Sequence, residues 1–313
     1  MDGTAVTAFI KEIGRGKHAA GDLPRTAARE LYAAVLAGEV SGVQLGAVLM
    51  ALRIKGESDE ELAGFLDAAH AAMIRLQAPA GTVPLVIPAY NGARKLPNLT
   101  PLLAELVARA GVPVLVQGVA RDPGRVTTCE VLAALGVAPA ASVAEAEAQL
   151  QTRRLAFIAV DTLAPALARL LAVRAEMGVR SSGHTIAKML QPFTTPALRL
   201  VAVTHPEYLA RMRAFFTTED GGALLLRGAE GEAVAHPRRE PLIEFADGRV
   251  AHIWRDEGGA EPEPALPADR DAAVTAAWIQ GALTGMNKVP RAVQHQVQCC
   301  LRAAAAWRGG GAA

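Results

Sequence analysis

Aromatic residues make up only 4% of the 313-residue chain, too few for an extended base-stacking platform. Charge of one sign is missing too. The 32 Lys and Arg face 31 Asp and Glu, a formal net charge of +1, so any attraction for a polyanion must come from where the cations sit. The three cysteines, Cys129, Cys299 and Cys300, lack metal-ligand spacing and read as buried, reduced thiols. Asp2, Lys11 and Glu12 interrupt the amino terminus before a signal-peptide core can form. The apolar run 163–173 is short and is broken by Arg169. These absences lead us to expect a cytoplasmic protein with no membrane partner.

What is present is enough apolar residue, 51%, for one large or two unequal cores. The first part reads as helical. Pro24 suits the first turn of a helix carrying Leu31 and Val35 and stopped by Gly38. Ser41-Gly42-Val43-Gln44 and Ser58-Asp59-Glu60-Glu61 are capping boxes, in which hydroxyl and N3 side chain satisfy orphan N–H groups reciprocally. From about Pro79 short apolar runs (85–87, 112–116, 155–160, 198–203) alternate with helical stretches opened by Thr100-Pro101, Thr127 or Thr128, and Ser142. Alternation of that kind predicts βαβ units on a largely parallel sheet. Later strands are expected at 224–226, 242–245 and 250–254, with an Asp247-Gly248 hairpin turn, then two closing helices and a glycine tail at 309–311. We therefore expect an α/β protein with a small N-terminal helical domain over 1–77 and an α/β domain over 78–313.

Ligands of such sheets bind at the carboxyl ends of the strands, which singles out three segments. In Tyr90-Asn91-Gly92-Ala93-Arg94-Lys95, followed by Asn98, two cations stand beside a glycine and ahead of a helix N-terminus. Glycine permits close backbone approach, free N–H groups favour an anion, and Arg94 and Lys95 add charge, so a phosphate fits. Gln117-Gly118-Val119-Ala120-Arg121-Asp122-Pro123-Gly124-Arg125 repeats that chemistry at the next strand end, although Asp122-Pro123-Gly124 is also an ordinary turn. The third segment holds Arg180, Ser181, Ser182, His184 and Lys188. A Ser–His nucleophilic pair there lacks a nearby orienting acid. A helix start turning Ser and His donors toward phosphate is the better reading.

The layout resembles the anthranilate phosphoribosyltransferase family. Residues 125–136, ending Cys129-Glu130-Val131-Leu132-Ala133-Ala134-Leu135-Gly136, are similar to the helix that family writes ADxLEALG. Residues 178–196 resemble its RxxxNLLGPLxNP segment, and Asn98 fits the asparagine of its TFNIST stretch. The resemblance implies a nucleoside phosphorylase/phosphoribosyltransferase-like fold, class III-like, in the glycosyltransferase family 3 arrangement. It further implies that a segment near 165–195 packs back on the helical domain, and that two chains form a homodimer through that domain.

Three departures carry information. The family's pyrophosphate loop, GTGGD, is replaced by the 90–95 stretch. Its KHGNR loop resembles residues 117–121, with Gln117 in place of lysine. Its metal-binding GxDGxDE motif matches Gly228-Ala229-Glu230-Gly231-Glu232-Ala233-Val234, so the acidic pair falls on Ala233 and Val234. Magnesium requires hard oxygen ligands, leaving Glu230 and Glu232 as the candidate replacements. A YbiB-like branch of the family shares the wording YNGARK, NLTPLLA and RSSGHT, found here at 90–95, 98–104 and 180–185. That resemblance implies sequence-independent binding of nucleic acid, DNA or RNA.

The leading expectation is thus a non-catalytic binder of the nucleic-acid backbone with no cofactor. Its groove would comprise Tyr90, Asn91, Gly92, Arg94, Lys95, Asn98, Arg121, Arg125, Arg180, Ser182, His184, Lys188, Arg238 and Arg239; Tyr90 and His184 could stack on bases, although packing is the better reading of both. The alternatives are a magnesium-dependent phosphoribosyltransferase and a phosphate-ligand sensor.

Overall fold

The computed structural model describes residues 3–16, 18–203, 206–218, 222–239, 241–246, 251–255 and 264–307. The expected Asp247-Gly248 turn and the glycines at 309–311 lie outside them. The chain divides into two compact units, one of Met1–Ile74 and Leu163–Pro192, the other of Arg75–Thr162 and Phe193–Ala313.

The first unit opens with helices α1 (Gly3–Ile13), α2 (Arg25–Ala37), α3 (Gly42–Lys55) and α4 (Asp59–Ala72). Helix α2 ends on Gly38, whose left-handed backbone (φ 75°) returns N–H groups to the last turn. Both expected capping boxes form, at Ser41/Gln44 and Ser58/Glu61. Helices α2 and α4 pack through Tyr32 and Phe65, whose rings stack with centroids 4.6 Å apart. A buried ion pair pins the α3–α4 junction. Lys55 Nζ lies 2.7 Å from an oxygen of the fully buried Glu61 and 2.5 Å from Asp22. Glu61 also accepts from the N–H groups of Leu23 and Ser58.

The chain then enters the second unit through β1 (Leu85–Ala89), α5 (Thr100–Arg109), β2 (Val114–Gly118), α6 (Thr128–Ala134), α7 (Val143–Arg153), β3 (Leu155–Ala159) and the short α8 (Val160–Leu163). It returns to the first unit for α9 (Pro165–Ala172), α10 (Arg174–Met177) and α11 (Ser182–Met189). It finishes in the second with β4 (Leu198–Val203), α12 (Pro206–Thr218), β5 (Ala223–Arg227), β6 (Leu242–Ala246), β7 (Ala251–Arg255), α13 (Ala272–Leu283) and α14 (Arg291–Ala306).

The sheet order is β3-β2-β1-β4-β5-β6-β7, parallel through β5 and antiparallel at β5–β6 and β6–β7. Helices cover the parallel strands, which explains why β1 and β2 are buried along their whole length without alternation. Leu102, Leu103 and Val107 of α5, with Ile279 of α13 and Val293 of α14, close the core against that sheet. The order reverses direction beside β1. Loops leaving β1, β2 and β5 therefore emerge at one end of the sheet, where an open α/β fold places its ligands. Among the described residues no helix is long and apolar enough to cross a membrane.

Candidate functional site

Three loops of the second unit meet at the strand ends. The loop after β1 and the loop after β2 are tied by a bridge between Ala93 and Val126, N–H to C=O in both directions at 2.8 and 2.9 Å. Gly92 makes this approach possible. Its φ is +67°, and a Cβ there would sit 3.0 Å from the Val126 carbonyl oxygen. The third loop, after β5, is a tight reversal closed by a bridge between Gly228 and Ala235. A Cβ on Gly228 would collide with the Glu232 carbonyl at 1.8 Å, so only glycine starts that turn. Gln296 of α14 clamps it from beneath, accepting from Ala235 N–H at 2.7 Å and donating to Ala233 C=O at 3.0 Å.

That turn delivers two carboxylates to the loop after β1. Glu232 is 2% exposed. Its Oε1 accepts from the N–H groups of Asn91 and Gly92, both at 2.7 Å, and its Oε2 from the Thr128 hydroxyl at 2.8 Å. Glu230 accepts from three successive N–H groups, of Arg94 (2.8 Å), Lys95 (3.0 Å) and Leu96 (3.1 Å). Converging main-chain N–H groups of this kind form an anion nest. Burial alone would raise the Glu230 carboxyl, but the N–H groups of Lys95, Arg94 and Leu96 and the nearby Arg125 guanidinium outweigh it and hold it below the usual carboxylate range. Glu230 also adopts a left-handed backbone, φ 53°, uncommon for a residue with a side chain.

The free N–H groups expected in the 90–95 loop are therefore already taken. Nor do Glu230 and Glu232 fit as replacement magnesium ligands, since backbone donors engage their oxygens. Ala233 and Val234 are buried and apolar. Among the described residues no group of three or more His, Cys, Asp or Glu could hold a metal.

The expected site residues of this unit separate into two groups. Arg94, Lys95, Arg121, Arg238 and Arg239 are exposed, and Arg125, half-buried, donates to the Gly92 carbonyl. His236 lies within electrostatic reach of Arg238, Arg239 and Glu230. Burial first, then Arg239 and Arg238, lower its pKa, while Glu230 opposes the shift. Asn91, Gly92 and Asn98 are buried, and Asn98 holds the loop itself, donating to Thr128 Oγ1 and accepting from Thr100 N–H. Tyr90 takes the packing role and not the base-stacking one. It is buried, its hydroxyl donates to Gln117 Oε1, and burial pushes the phenol far above its ordinary pKa.

Four expected residues belong to the helical unit. Arg180 precedes α11, and its carbonyl accepts from Arg53 at 2.8 Å. Lys188 lies in the last turn of α11. Ser182 is buried against the Tyr32 phenol and does not face solvent. His184 Nδ1 accepts from Ser181 N–H at 3.3 Å, capping the helix instead of offering that nitrogen to a phosphate. Burial, then Arg180, Arg174 and Lys188, bring its pKa down to about 4, so the ring is neutral near pH 7.

Sequence reasoning missed Arg270 and Gln296. Arg270 is exposed and donates to the Arg94 carbonyl at 2.6 Å, adding a cation beside the loop. No motif surrounds it. All three cysteines are buried and unbridged, with the Cys129 thiol pushed up to about 11, first by burial.

Residues 7–73 match the glycosyl transferase family's helical bundle domain. Over 298 residues the chain is 46% identical to the uncharacterized protein YbiB of Escherichia coli (strain K12), covering 94% of this chain and 92% of that one. It is 30% identical over 312 residues to the anthranilate phosphoribosyltransferase of Rhodopseudomonas palustris (strain BisB18), covering 95% and 88%. The crystal structure of anthranilate phosphoribosyltransferase (TrpD) from Thermus thermophilus matches the fold with a TM-score of 0.75 at 25% identity, covering 96% and 88%.

Proposed function

Because the chain belongs to the anthranilate phosphoribosyltransferase-like family, and because its own carboxylates fill the nest in its first strand-end loop, we propose that it binds nucleic-acid backbone and carries out no phosphoribosyl transfer. The filled nest is the observation that supports this reading most. A transferase needs oxygen ligands for the metal that neutralises a diphosphate leaving group. Glu230 and Glu232 are instead spent on backbone N–H groups. Exposed cations remain around the filled loop, Arg94, Lys95, Arg121, Arg238, Arg239 and Arg270, the last flanked by the exposed Asp269 and Asp271. Such side chains contact phosphates without reading bases, which suits sequence-independent binding to DNA or RNA. Arg180 and Lys188, also in the expected set, lie in the helical unit. The proposal includes a homodimer through the helical unit and a cytoplasmic location. In that unit Val43 is 87% and Ile54 57% exposed, and Ile54 borders an apolar groove with Ile10, Ile13, Ala47 and Ala51.

The test is single-strand binding across a salt series. Affinity should fall with a log–log slope of roughly 0.7 per phosphate contact, and an Arg94→Ala/Lys95→Ala variant should lose roughly 1.4 from that slope. A flat salt response, or an unchanged variant, removes the proposal. The competing reading is a transferase, favoured by the similarity to anthranilate phosphoribosyltransferases. Turnover of phosphoribosyl pyrophosphate and anthranilate with magnesium, at enzyme-like rates, would establish it instead.

A further inference from the structure

The two internal carboxylates are not equivalent. Glu232 is sealed, bonded to two N–H groups and a hydroxyl with 2% of its surface exposed. Glu230 is partly open to solvent and holds the three N–H groups of Arg94, Lys95 and Leu96 at the rim, where the neighbouring Arg94 and Lys95 side chains are exposed. Its backbone is in the left-handed region, φ 53°, a conformation that glycine adopts freely.

We infer that Glu230 is a displaceable internal occupant of a phosphate-binding nest formed by the N–H groups of Arg94, Lys95 and Leu96, so that a phosphate group binds there by exchange with the carboxylate. A carboxylate and a phosphate present the same thing to a nest, a compact anionic oxygen that accepts several N–H bonds. A phosphate brings more charge and more oxygens than a carboxylate, and Arg125 already faces the position from the loop after β2. Glu230 has the advantage of being tethered, its reversal closed at Gly228 and Ala235 and clamped by Gln296. The outcome is an intramolecular competitor that sets a threshold: weak or dilute anions leave the plug in place, and only a phosphate presented at high effective concentration replaces it. A polymer held by the surrounding arginines is one such presentation, and in that respect alone the inference rests on the proposed function. The nest itself does not depend on it.

Glu230→Gly tests the exchange cleanly, since glycine keeps the left-handed backbone without strain and removes the carboxylate. Inorganic pyrophosphate and an oligodeoxythymidylate lacking terminal phosphates are titrated calorimetrically into wild type and variant, with amide NMR as the site-specific readout. We expect at least a tenfold gain in affinity for one or both probes, with the Arg94, Lys95 and Leu96 amides shifting on binding. A gain for pyrophosphate alone identifies the ligand as a free phosphate compound, and a gain for the oligonucleotide identifies a backbone phosphodiester. Glu230→Gln, which keeps an acceptor but no charge, should fall between. Equal affinities in all three proteins, or binding that leaves those amides unmoved, overturns the exchange. If neither wild type nor the glycine variant binds the oligonucleotide while the pyrophosphate gain persists, the nucleic-acid reading fails and the nest stands.

Discussion

Replacing Glu232 gives the most exacting test of how the loop after β1 is held. In Glu232→Ala, the N–H groups of Asn91 and Gly92 lose their shared acceptor in a site closed to water. Each orphaned buried donor costs roughly 1–3 kcal/mol, so the variant should be about 4 kcal/mol less stable. That is a large part of the roughly 5–15 kcal/mol that holds an ordinary domain folded. Thr128 contributes less, because its hydroxyl also accepts from Asn98 and can reorient. Geometry then separates two substitutions. Both N–H groups point at one oxygen, Oε1, while Oε2 faces only the hydroxyl. Glutamine can present its carbonyl to the amides and its NH2 to Thr128 Oγ1, so Glu232→Gln should cost only about 1–2 kcal/mol, the loss of charge assistance. Urea unfolding monitored by circular dichroism measures both. An alanine variant within about 1 kcal/mol of wild type, or a glutamine variant as damaged as alanine, would refute the reasoning.

Two further predictions concern the helical unit. The His184 pKa falls from an ordinary 6.5 to about 4 in the folded chain, so the unfolded state binds the extra proton between those values. Its contribution is complete above about pH 6.5 and is lost as pH drops toward 4. After discounting for solvent screening this amounts to roughly 1–2 kcal/mol. His184→Gln should therefore flatten the stability profile between about pH 7 and 5, and a profile unchanged in shape would contradict the assignment. Glu230, also lowered, acts only below the ordinary carboxylate range, whereas His236, lowered too, adds a slope in the same window that His184→Gln leaves in place, so the flattening is partial. At the α3–α4 junction, Lys55→Met leaves the fully buried Glu61 without its cation and should destabilise by about 3–5 kcal/mol. The double variant Lys55→Met/Glu61→Gln should recover part of that loss in thermal denaturation, and a double variant worse than the single one would show that the pair is not the cause.

The features legible in the sequence were those decided within a few residues. Ser41 with Gln44, Ser58 with Glu61, Gly38 after α2 and the apolar runs of β1, β2 and β3 each carry their structural reason locally. The candidate site was legible as a place and misread as a surface. Glycine and cations at 90–95 announce an anion nest, but its occupant comes from a turn 140 residues further along, as the Gly92–Glu232 contact shows. Tyr90 and Asn98 look like ligand contacts by position; the partners that internalise them, Gln117 and Thr128, sit in another loop. His184 reads as a donor because no pattern tells which ring nitrogen the helix cap uses. Arg270 enters only through tertiary contact with the Arg94 carbonyl.

The division of labour between Glu232 and Glu230 also bears on how the protein can change. A substitution restoring acids at Ala233 and Val234 would place them in buried apolar surroundings while the nest stayed filled, so it gains nothing by itself. Losing Glu232 strips Asn91 and Gly92 of their acceptor and weakens the fold, whereas Glu230 can be removed from its own three N–H groups separately. The turn between Gly228 and Ala235 thus carries two carboxylates of unequal consequence, one that the fold needs and one that it can exchange.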